Sequence, residues 1–571
     1  MADFRVRCNG DDCFLAWTMP KLAGCWGFAI WRERVRPGSP PCVGYLHNFT
    51  GFAGDDVPPH SHRPSDEWPF QRYTWTDHDV DEGDELTYAI RPVIKTAAGL
   101  QVDMNHELGP LKVTATATAA GGTSAYFNRG ILLSQFVSAR LPKDWKRKDL
   151  AALKDSLEAD DSELRGFLAG QLGARLLTLL NEARAAGQHV YAALYELDDQ
   201  PLIDALLAFG KRAHIVLANG SSKEKGSDGN EEAALQLDGK VDLHRRMLWS
   251  EGLGHNKFLV LAKTQAHPSA VWTGSTNWAT TGLCTQMNNG ILVEDEAVAS
   301  IYMRQWKLLR DDARVGQQGK PMHFGAALTS SNDVVKAAGP ADAFNVWFTR
   351  TSGGQEMADI TEIINSAREA ILFLMFEPGS NGLLQVVQSR LSTASPTYRP
   401  GLYVHGVVNT LRSSAQGGGL AVDLVGRGKN SSFDLQVVQP EGVTNLAGWA
   451  TEVTRKDFLM TQGGAIGYAI IHSKVIVVDP FTKPVVITGS HNFSQSASNK
   501  NDENIMIVRG NPQLAERYAV NIMATYQHYR FRKYLLDCKA SGRSPWKGLV
   551  KGAGWQKKQA DHDRELAFWT A

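Results

Sequence analysis

The chain has no excess of either charge, with 60 Lys plus Arg against 60 Asp plus Glu, which removes any whole-protein electrostatic argument for a polyanionic partner. It has no apolar stretch long enough to cross a bilayer. The opening Met1-Ala2-Asp3-Phe4-Arg5 lacks the basic start, apolar stretch and cleavage site of a secretory leader. A cytoplasmic location is the default expectation, and a leaderless route would make it temporary. Cysteine is sparse: there are six, four of them (Cys8, Cys13, Cys25, Cys42) near the start, and no CxxC spacing occurs. Free or buried thiols are therefore expected ahead of a disulfide pair or zinc site. The usual calcium-loop and P-loop signatures are missing as well, so no metal cofactor is expected.

What is present is ordinary globular composition, 43% hydrophobic and 21% charged. At 571 residues the chain outruns one core, because domains run on the order of 100 to 200 residues, and three units are expected. Residues 1–117 carry short apolar and aromatic runs, among them Phe14–Trp17, Gly27–Trp31, Tyr73–Trp75 and Leu86–Ile90, separated by Gly, Pro and Asp clusters. That spacing predicts an all-β sandwich. On Trp17, in the place of the early core tryptophan, and on Gly83–Tyr88, near the usual tyrosine corner, it resembles a fibronectin type III module, although Leu86 occupies the corner's usual Tyr position. Such a unit serves either to bind a protein or surface partner or to brace the rest of the chain. The segment Thr114–Gly122 is small, polar and glycine-terminated, and reads as a linker.

After it the same order of elements occurs twice, in residues 118–335 and 336–571. An amphipathic helix (Leu172, Leu176, Leu180, Ala183; then Ile360, Ile363, Ile364, Ala367) feeds an apolar strand (Val190–Tyr195; Ile371–Phe376), followed by a helix and a further strand (Ile215–Leu217; Val404–Val408). Alternating strands and helices predict an α/β sheet in each copy. The second copy carries a surplus between Thr410 and Tyr468, rich in Gly and Ser, that reads as surface loop.

The first copy then reads His255-Asn256-Lys257 with an apolar run and Gly274-Ser275-Thr276-Asn277; the second reads His472-Ser473-Lys474 with an apolar run to Asp479 and Gly489-Ser490-His491-Asn492. Residues two apart on a strand share a face, so each His sits beside a Lys. Each Gly-Ser-x-Asn turns tightly and presents a hydroxyl, an amide and backbone N–H groups, a set suited to a phosphoryl group. Asn277 to Asn289 and Asn492 to Asn504 are equally spaced, which sets Asn288 of one copy opposite Glu503 of the other. Either motif alone is a surface pair or a plain turn. Both motifs, twice, in order and in register, point to chemistry.

On these residues the chain resembles the phospholipase D superfamily over about residues 125 to 535, and Gly489–Ser494 with Asn501–Asn504 looks most like its nuclease branch. After the β-sandwich of this multidomain chain, the resemblance implies two α/β/α repeats with mixed sheets forming a pseudo-twofold catalytic unit; a monomer or low-order homo-oligomer is expected. The resemblance also implies metal-independent cleavage of a phosphodiester, with His255 forming a phosphohistidine and His472 acting as general acid and then base. Lys257, Lys474, Asn277 and Asn492 become phosphate binders, and Ser275 and Ser490 weaker candidates, with the turn itself as the alternative main role. Glu503 is expected to accept a hydrogen bond from His472, and Asn288 to orient His255. Asp479 keeps the family's Asp and is assigned to structure; Ala262 replaces it in the first repeat, a loss that the active tyrosyl-DNA phosphodiesterases share.

Residues 530–558 interleave Arg530, Arg532, Lys533, Lys551 and other basic groups with Tyr529, Phe531, Tyr534, Trp546 and Trp555. Cations with flat rings suit single-stranded nucleic acid, and an anionic membrane surface competes with it. The expected substrate is therefore a nucleic acid, with phospholipid head groups as the alternative and a catalytically weak binding protein as the third reading.

Overall fold

The computed structural model describes residues 3–55, 61–130, 155–159, 161–221, 227–248, 252–312, 326–379, 382–409, 436–438, 471–544, 546, 548–556 and 563–571. Most of the surplus of the second repeat lies outside the described residues, as do the side chains of Phe531, Arg532, Lys533 and Tyr534. The chain forms two compact units, residues 1–117 with 530–571, and residues 118–529.

The first unit is strand-rich. One antiparallel sheet joins Asp3–Cys8, Cys13–Thr18 and Thr74–Asp77. The other is built on Cys25–Val35 and Glu85–Thr96, with Cys42–Tyr45, Gly99–Val102 and Leu108–Thr114. One core joins them. Trp17 is fully buried with its ring edge-on to Phe28 at 5.5 Å, and Tyr88 donates its hydroxyl to Asp77 at 2.8 Å.

Three expectations are corrected here. Cys8 and Cys13 are disulfide-bonded, because the hairpin register sets them directly opposite across a tight turn; Cys25, Cys284 and Cys538 are buried thiols and Cys42 an exposed one. The stretch 114–122 is not a linker: Ala115, Ala117 and Ala119 are buried, and Thr118–Ala119 is a strand. Alanine's small side chain reads as linker in sequence, yet it is also what fits where backbone packs closely on backbone; Gly83 and Ala115 hydrogen-bond through their main chains at 2.9 Å. Residues 530–571 belong to the strand-rich unit, whereas they were expected as part of the second repeat. Trp569 lies on Phe14 at 4.6 Å, and Trp555 donates to the Cys25 carbonyl at 3.0 Å while packing on Phe28.

The second unit holds two eight-stranded mixed sheets of matching order. The first runs Thr118–Ala119, Thr123–Phe127, Asn289–Val293, His267–Gly274, Lys257–Thr264, His189–Leu194, Ala213–Ala218, Asp242–Arg246. The second runs Lys336–Ala338, Phe344–Phe348, Asn504–Arg509, Val485–Gly489, Val475–Val478, Ala370–Met375, Tyr403–Val408, Gln436–Val438. In each, the last three strands are parallel and the rest antiparallel. The helices Glu163–Ala185 and Gln355–Ser366 bury the apolar stripes read from the sequence: Leu172, Leu176 and Leu180 in one, Ile360, Ile363 and Ile364 in the other. Burying such stripes, at roughly 25 cal/mol per Å² of apolar area, is what fixes each helix on its sheet. Among the described residues, no helix is long and apolar enough to cross a membrane.

Candidate active site

Both Gly-Ser-x-Asn turns open on a glycine that nothing else could replace. Gly274 and Gly489 have φ of +143° and +147°, and a Cβ on either would stand 2.3 Å from the carbonyl oxygen of Asn289 or Asn504. The next residue, Ser275 or Ser490, donates its N–H to that same carbonyl at 3.0 Å. The serine hydroxyls face inward: Ser275 Oγ donates to Asn288 Oδ1 at 2.8 Å, and Ser490 Oγ accepts the Asn504 N–H at 3.0 Å. The two serines thus hold the turns, the alternative role expected of them beside weak phosphate binding.

Four asparagines and threonines that motif reading passed over tie the repeats together. Thr273 donates to Asn504 Oδ1 at 2.7 Å, and Thr488 donates to Asn289 Oδ1 at 2.8 Å, a reciprocal exchange across the two sheets. The equal Asn277–Asn289 and Asn492–Asn504 spacings were their sequence signal.

This exchange brings both His-x-Lys pairs into one buried centre. His255, Lys257, His472 and Lys474 are each at most 5% exposed. Each lysine donates to the carbonyl of its own histidine, Lys257 to His255 at 2.8 Å and Lys474 to His472 at 2.5 Å. Each also lies over an aromatic ring at the end of the neighbouring strand, Tyr195 at 5.0 Å and Phe376 at 4.8 Å. The same rings pack on His255 and His472.

The histidine partners are the reverse of those expected. Glu503 of the second repeat meets His255 of the first, Oε2 to Nδ1 at 2.7 Å, and Asn288 of the first meets His472 of the second, Oδ1 to Nδ1 at 2.9 Å. The reason is that residues 501–503 also pair with the segment before His255: Asp502 donates its N–H to the Leu253 carbonyl at 2.8 Å, and Asn501 Oδ1 accepts the Leu253 N–H at 3.1 Å. Likewise His472 donates its N–H to the Met287 carbonyl at 3.0 Å. Since the Asn288 amide nitrogen donates to Gly282 O at 2.8 Å, its oxygen is the face offered to His472. In both histidines Nδ1 is therefore the donor, and Nε2 is left for chemistry.

Burial sets the charges. It pushes His255 and His472 well below the usual imidazole range, with Lys257 and Lys474 adding to the effect. It brings Lys257 down to about 7 and Lys474 well below the ordinary lysine range, and it lifts Glu503 up to about 7. A buried group of this kind, poor in countercharge, is stabilised by an arriving anion.

Asn277 donates to the Glu196 carboxylate, a residue that sequence reading missed because it follows the strand without a motif of its own. Its Oδ1, like that of Asn492, is buried with no hydrogen-bond partner. Asp479 lies elsewhere, seven residues along the chain from His472, roughly 20 Å in extended backbone. Its carboxylate accepts the N–H groups of Arg368, Glu369 and Ala370 at 2.7 to 3.1 Å. In the first repeat Gln188, at the matching bend, donates its N–H to Ala183 O at 2.9 Å, so Ala262 leaves that donor satisfied. Asp479→Ala is expected to lower stability by about 2 to 3 kcal/mol, the cost of orphaned buried donors, while leaving kcat within about threefold; denaturant melts beside initial rates check it.

What fold and site define is a pair of mixed α/β sheets sharing one buried centre of two His-x-Lys pairs and two Gly-Ser-x-Asn turns. Residues 360–525 match the family model described as "Cardiolipin synthase, PLD-like domain". The phospholipase D of Rickettsia conorii (strain ATCC VR-613 / Malish 7) is 27% identical over 131 residues, 22% of this chain and 60% of that protein. That of Rickettsia typhi is 25% identical over 131 residues, 22% and 59%. The chain thus spans about three-fifths of the length of the curated relatives it matches. Among solved structures, a phosphatidylserine synthase from Haemophilus influenzae Rd KW20 is similar at 12% identity and a TM-score of 0.41, covering 69% of this chain and 92% of that one. The yeast tyrosyl-DNA phosphodiesterase is similar at 12% identity and 0.31, covering 57% and 83%. The second repeat thus carries a PLD-like domain.

Proposed function

We propose that the chain is a metal-independent phosphodiesterase that works through a phosphohistidine at His255, with the two repeats related by a pseudo-twofold axis. The observation that carries this reading is the crossed pairing of His255 with Glu503 and His472 with Asn288. A carboxylate on Nδ1–H raises the electron density at Nε2 and stabilises the imidazolium that forms on phosphorylation. A neutral amide orients His472 without stabilising its cation, which leaves a stronger acid. The roles first assigned to the two histidines are kept, on a different physical basis.

In the first step His255 Nε2 attacks phosphorus and the bond to the leaving oxygen breaks as His472 Nε2 hands that oxygen a proton. In the second, water attacks phosphorus, His472 takes its proton, and the P–N bond breaks to release His255. Lys257 and Lys474 offset the charge on the non-bridging oxygens, joined by Asn277 and Asn492. The anionic phosphoryl group raises the pKa of His472 and so supplies the protonated acid that the empty, buried site disfavours.

A pH profile follows. Lys257 must be charged and is titrated from about 7 upward, whereas Glu503 must be anionic and is lost from about 7 downward. The expected kcat/KM is a bell near neutrality, and in kcat both limbs move to higher pH, because the bound anion favours the protonated form of either group. Initial rates across pH 5 to about 10 test this; a flat profile through neutrality rejects it.

For the substrate, nucleic acid stays the leading reading, with narrower support than the C-terminal composition suggested. Tyr529 and Trp555 are spent on packing, and Arg530 and Lys551 meet Glu565 and Asp55 at 3.7 and 2.8 Å. Phospholipid head groups are the second reading, favoured by the relatives named phospholipase D. The strand-rich unit fits a fibronectin type III-like module that binds a partner or surface. Hydrolysis of single-stranded and duplex nucleic acids beside phosphatidylcholine, phosphatidylethanolamine and phosphatidylglycerol vesicles, with EDTA present, separates the substrates. Loss of that hydrolysis in His255→Ala ties it to this centre.

A further inference from the structure

The two Gly-Ser-x-Asn turns are held shut in different ways. In the first, the residue after the asparagine, Trp278, donates its N–H to the carbonyl of Glu196 at 3.2 Å, and Leu197 bridges Trp278, so the end of the neighbouring strand supports the turn. In the second, the equivalent N–H, that of Phe493, is donated at 3.0 Å to Nδ1 of His491, a side chain within the turn itself.

Phe493 needs that acceptor. It is buried with φ of +55°, a left-handed conformation that costs a residue with a Cβ of order 1 kcal/mol. A side-chain acceptor for the N–H two residues on is the geometry of an Asx turn, with imidazole Nδ1 standing where an Asn or Asp oxygen would be. Because Nδ1 accepts, the ring proton is on Nε2. Nε2 faces Ser498 Oγ at 3.4 Å and Glu356 Oε1 at 4.0 Å. Glu356 is itself fully buried: Thr351 donates to its Oε2 at 2.6 Å, and Oε1 has no hydrogen-bond partner. The ring is thus fixed at both nitrogens, with a carboxylate behind it and Ser490 and Asn492 on either side in the chain.

We propose that His491 is a positioning residue that holds the second turn in its left-handed form so that Asn492 meets the phosphoryl group. This rests on the phosphodiesterase reading of the centre. His491 takes no proton from substrate; burial brings its pKa down to about 4, which keeps the ring neutral and the tautomer fixed. The first turn has no such device because the Glu196 carbonyl already occupies its role.

Two amides of similar polarity test it. His491→Asn retains an oxygen at the Nδ1 position and can still accept the Phe493 N–H; His491→Gln places its oxygen nearer the Nε2 position and cannot. The full chain and both variants are titrated with orthovanadate by calorimetry, and kcat and KM are measured on bis(p-nitrophenyl) phosphate. The expected result is that Asn stays within about threefold of the parent in vanadate affinity and in kcat, while Gln loses at least about tenfold in both, the scale of one lost orienting hydrogen bond. Gln performing as well as Asn, or both losing alike, overturns the proposal while leaving the phosphodiesterase reading in place. A parent chain that neither binds vanadate nor cleaves the diester overturns both.

Discussion

Replacing His255 by alanine lowers kcat/KM for the phosphodiester by at least about 10³-fold, the scale expected when a nucleophile is removed and only charge stabilisation remains. The companion change, His472→Ala, separates the two histidines in a way that a simple loss of activity does not. With p-nitrophenolate as leaving group no proton is needed for departure, so the first step survives without its acid, whereas attack by water is slowed for want of a base. The expected trace is a burst of about one equivalent of p-nitrophenolate per centre, then a slow steady rate, with phosphate trapped on the peptide containing His255. If the roles are exchanged, the burst belongs to His255→Ala and the label to His472. The prediction depends on Glu503, which lies on His255 and not on His472: the charged partner favours the histidine that must carry a phosphoryl group, and the neutral partner favours the one that must give up a proton.

That pairing shows where the sequence was legible and where it was not. The duplicated motifs were readable because each is local: a two-residue spacing fixes a face of a strand, and a glycine with φ of +143° or +147° announces a backbone in contact with its neighbour. The helices and strands of both repeats were readable for the same reason, since apolar periodicity is a short-range property. Equal asparagine spacings even told that Asn288 and Glu503 correspond. Which histidine each would reach was not in the spacing, because it depends on how one sheet edge meets the other, and the Leu253 main chain bonds to Asn501 and Asp502, about 250 positions away. The disulfide was missed because a five-residue separation matches no metal motif and becomes a bridge only once the hairpin register sets Cys8 beside Cys13. The C-terminal aromatics looked like a nucleic-acid platform because composition cannot tell a ring that stacks on a base from Trp555, whose indole is bonded to the Cys25 carbonyl.

The contact that aligns the two repeats predicts the other large effect. Arg246, 1% exposed, donates to Asp502 from Nε at 2.6 Å and Nη2 at 3.3 Å, and through Nη1 to the carbonyl and carboxylate of Asp312 at 2.7 and 3.2 Å. Burial works against this charge, but Asp502 and Asp312 outweigh it and hold the guanidinium above its ordinary pKa. Arg246→Met keeps the volume and removes the cation, leaving the Asp502 carboxylate fully buried with, among the described residues, only the longer, 3.4 Å contact to Arg350. Breaking a buried pair from one side costs about 3 to 5 kcal/mol, most of it the penalty of the stranded charge. A loss of that size in denaturant unfolding of the full chain is expected, and a loss below about 1 kcal/mol rejects this account. Neutralising the stranded partner in the same chain, Arg246→Met with Asp502→Asn, should recover part of the deficit, since the penalty lies in the charge and not in the lost attraction. Function should follow more steeply than stability. Asp502 is the residue before Glu503, and its N–H is bonded to the segment leading into His255. The double variant still lacks the Arg246–Asp502 contact that seats this segment beside Glu503, so, though more stable than the single one, it should still fall short of the parent in kcat.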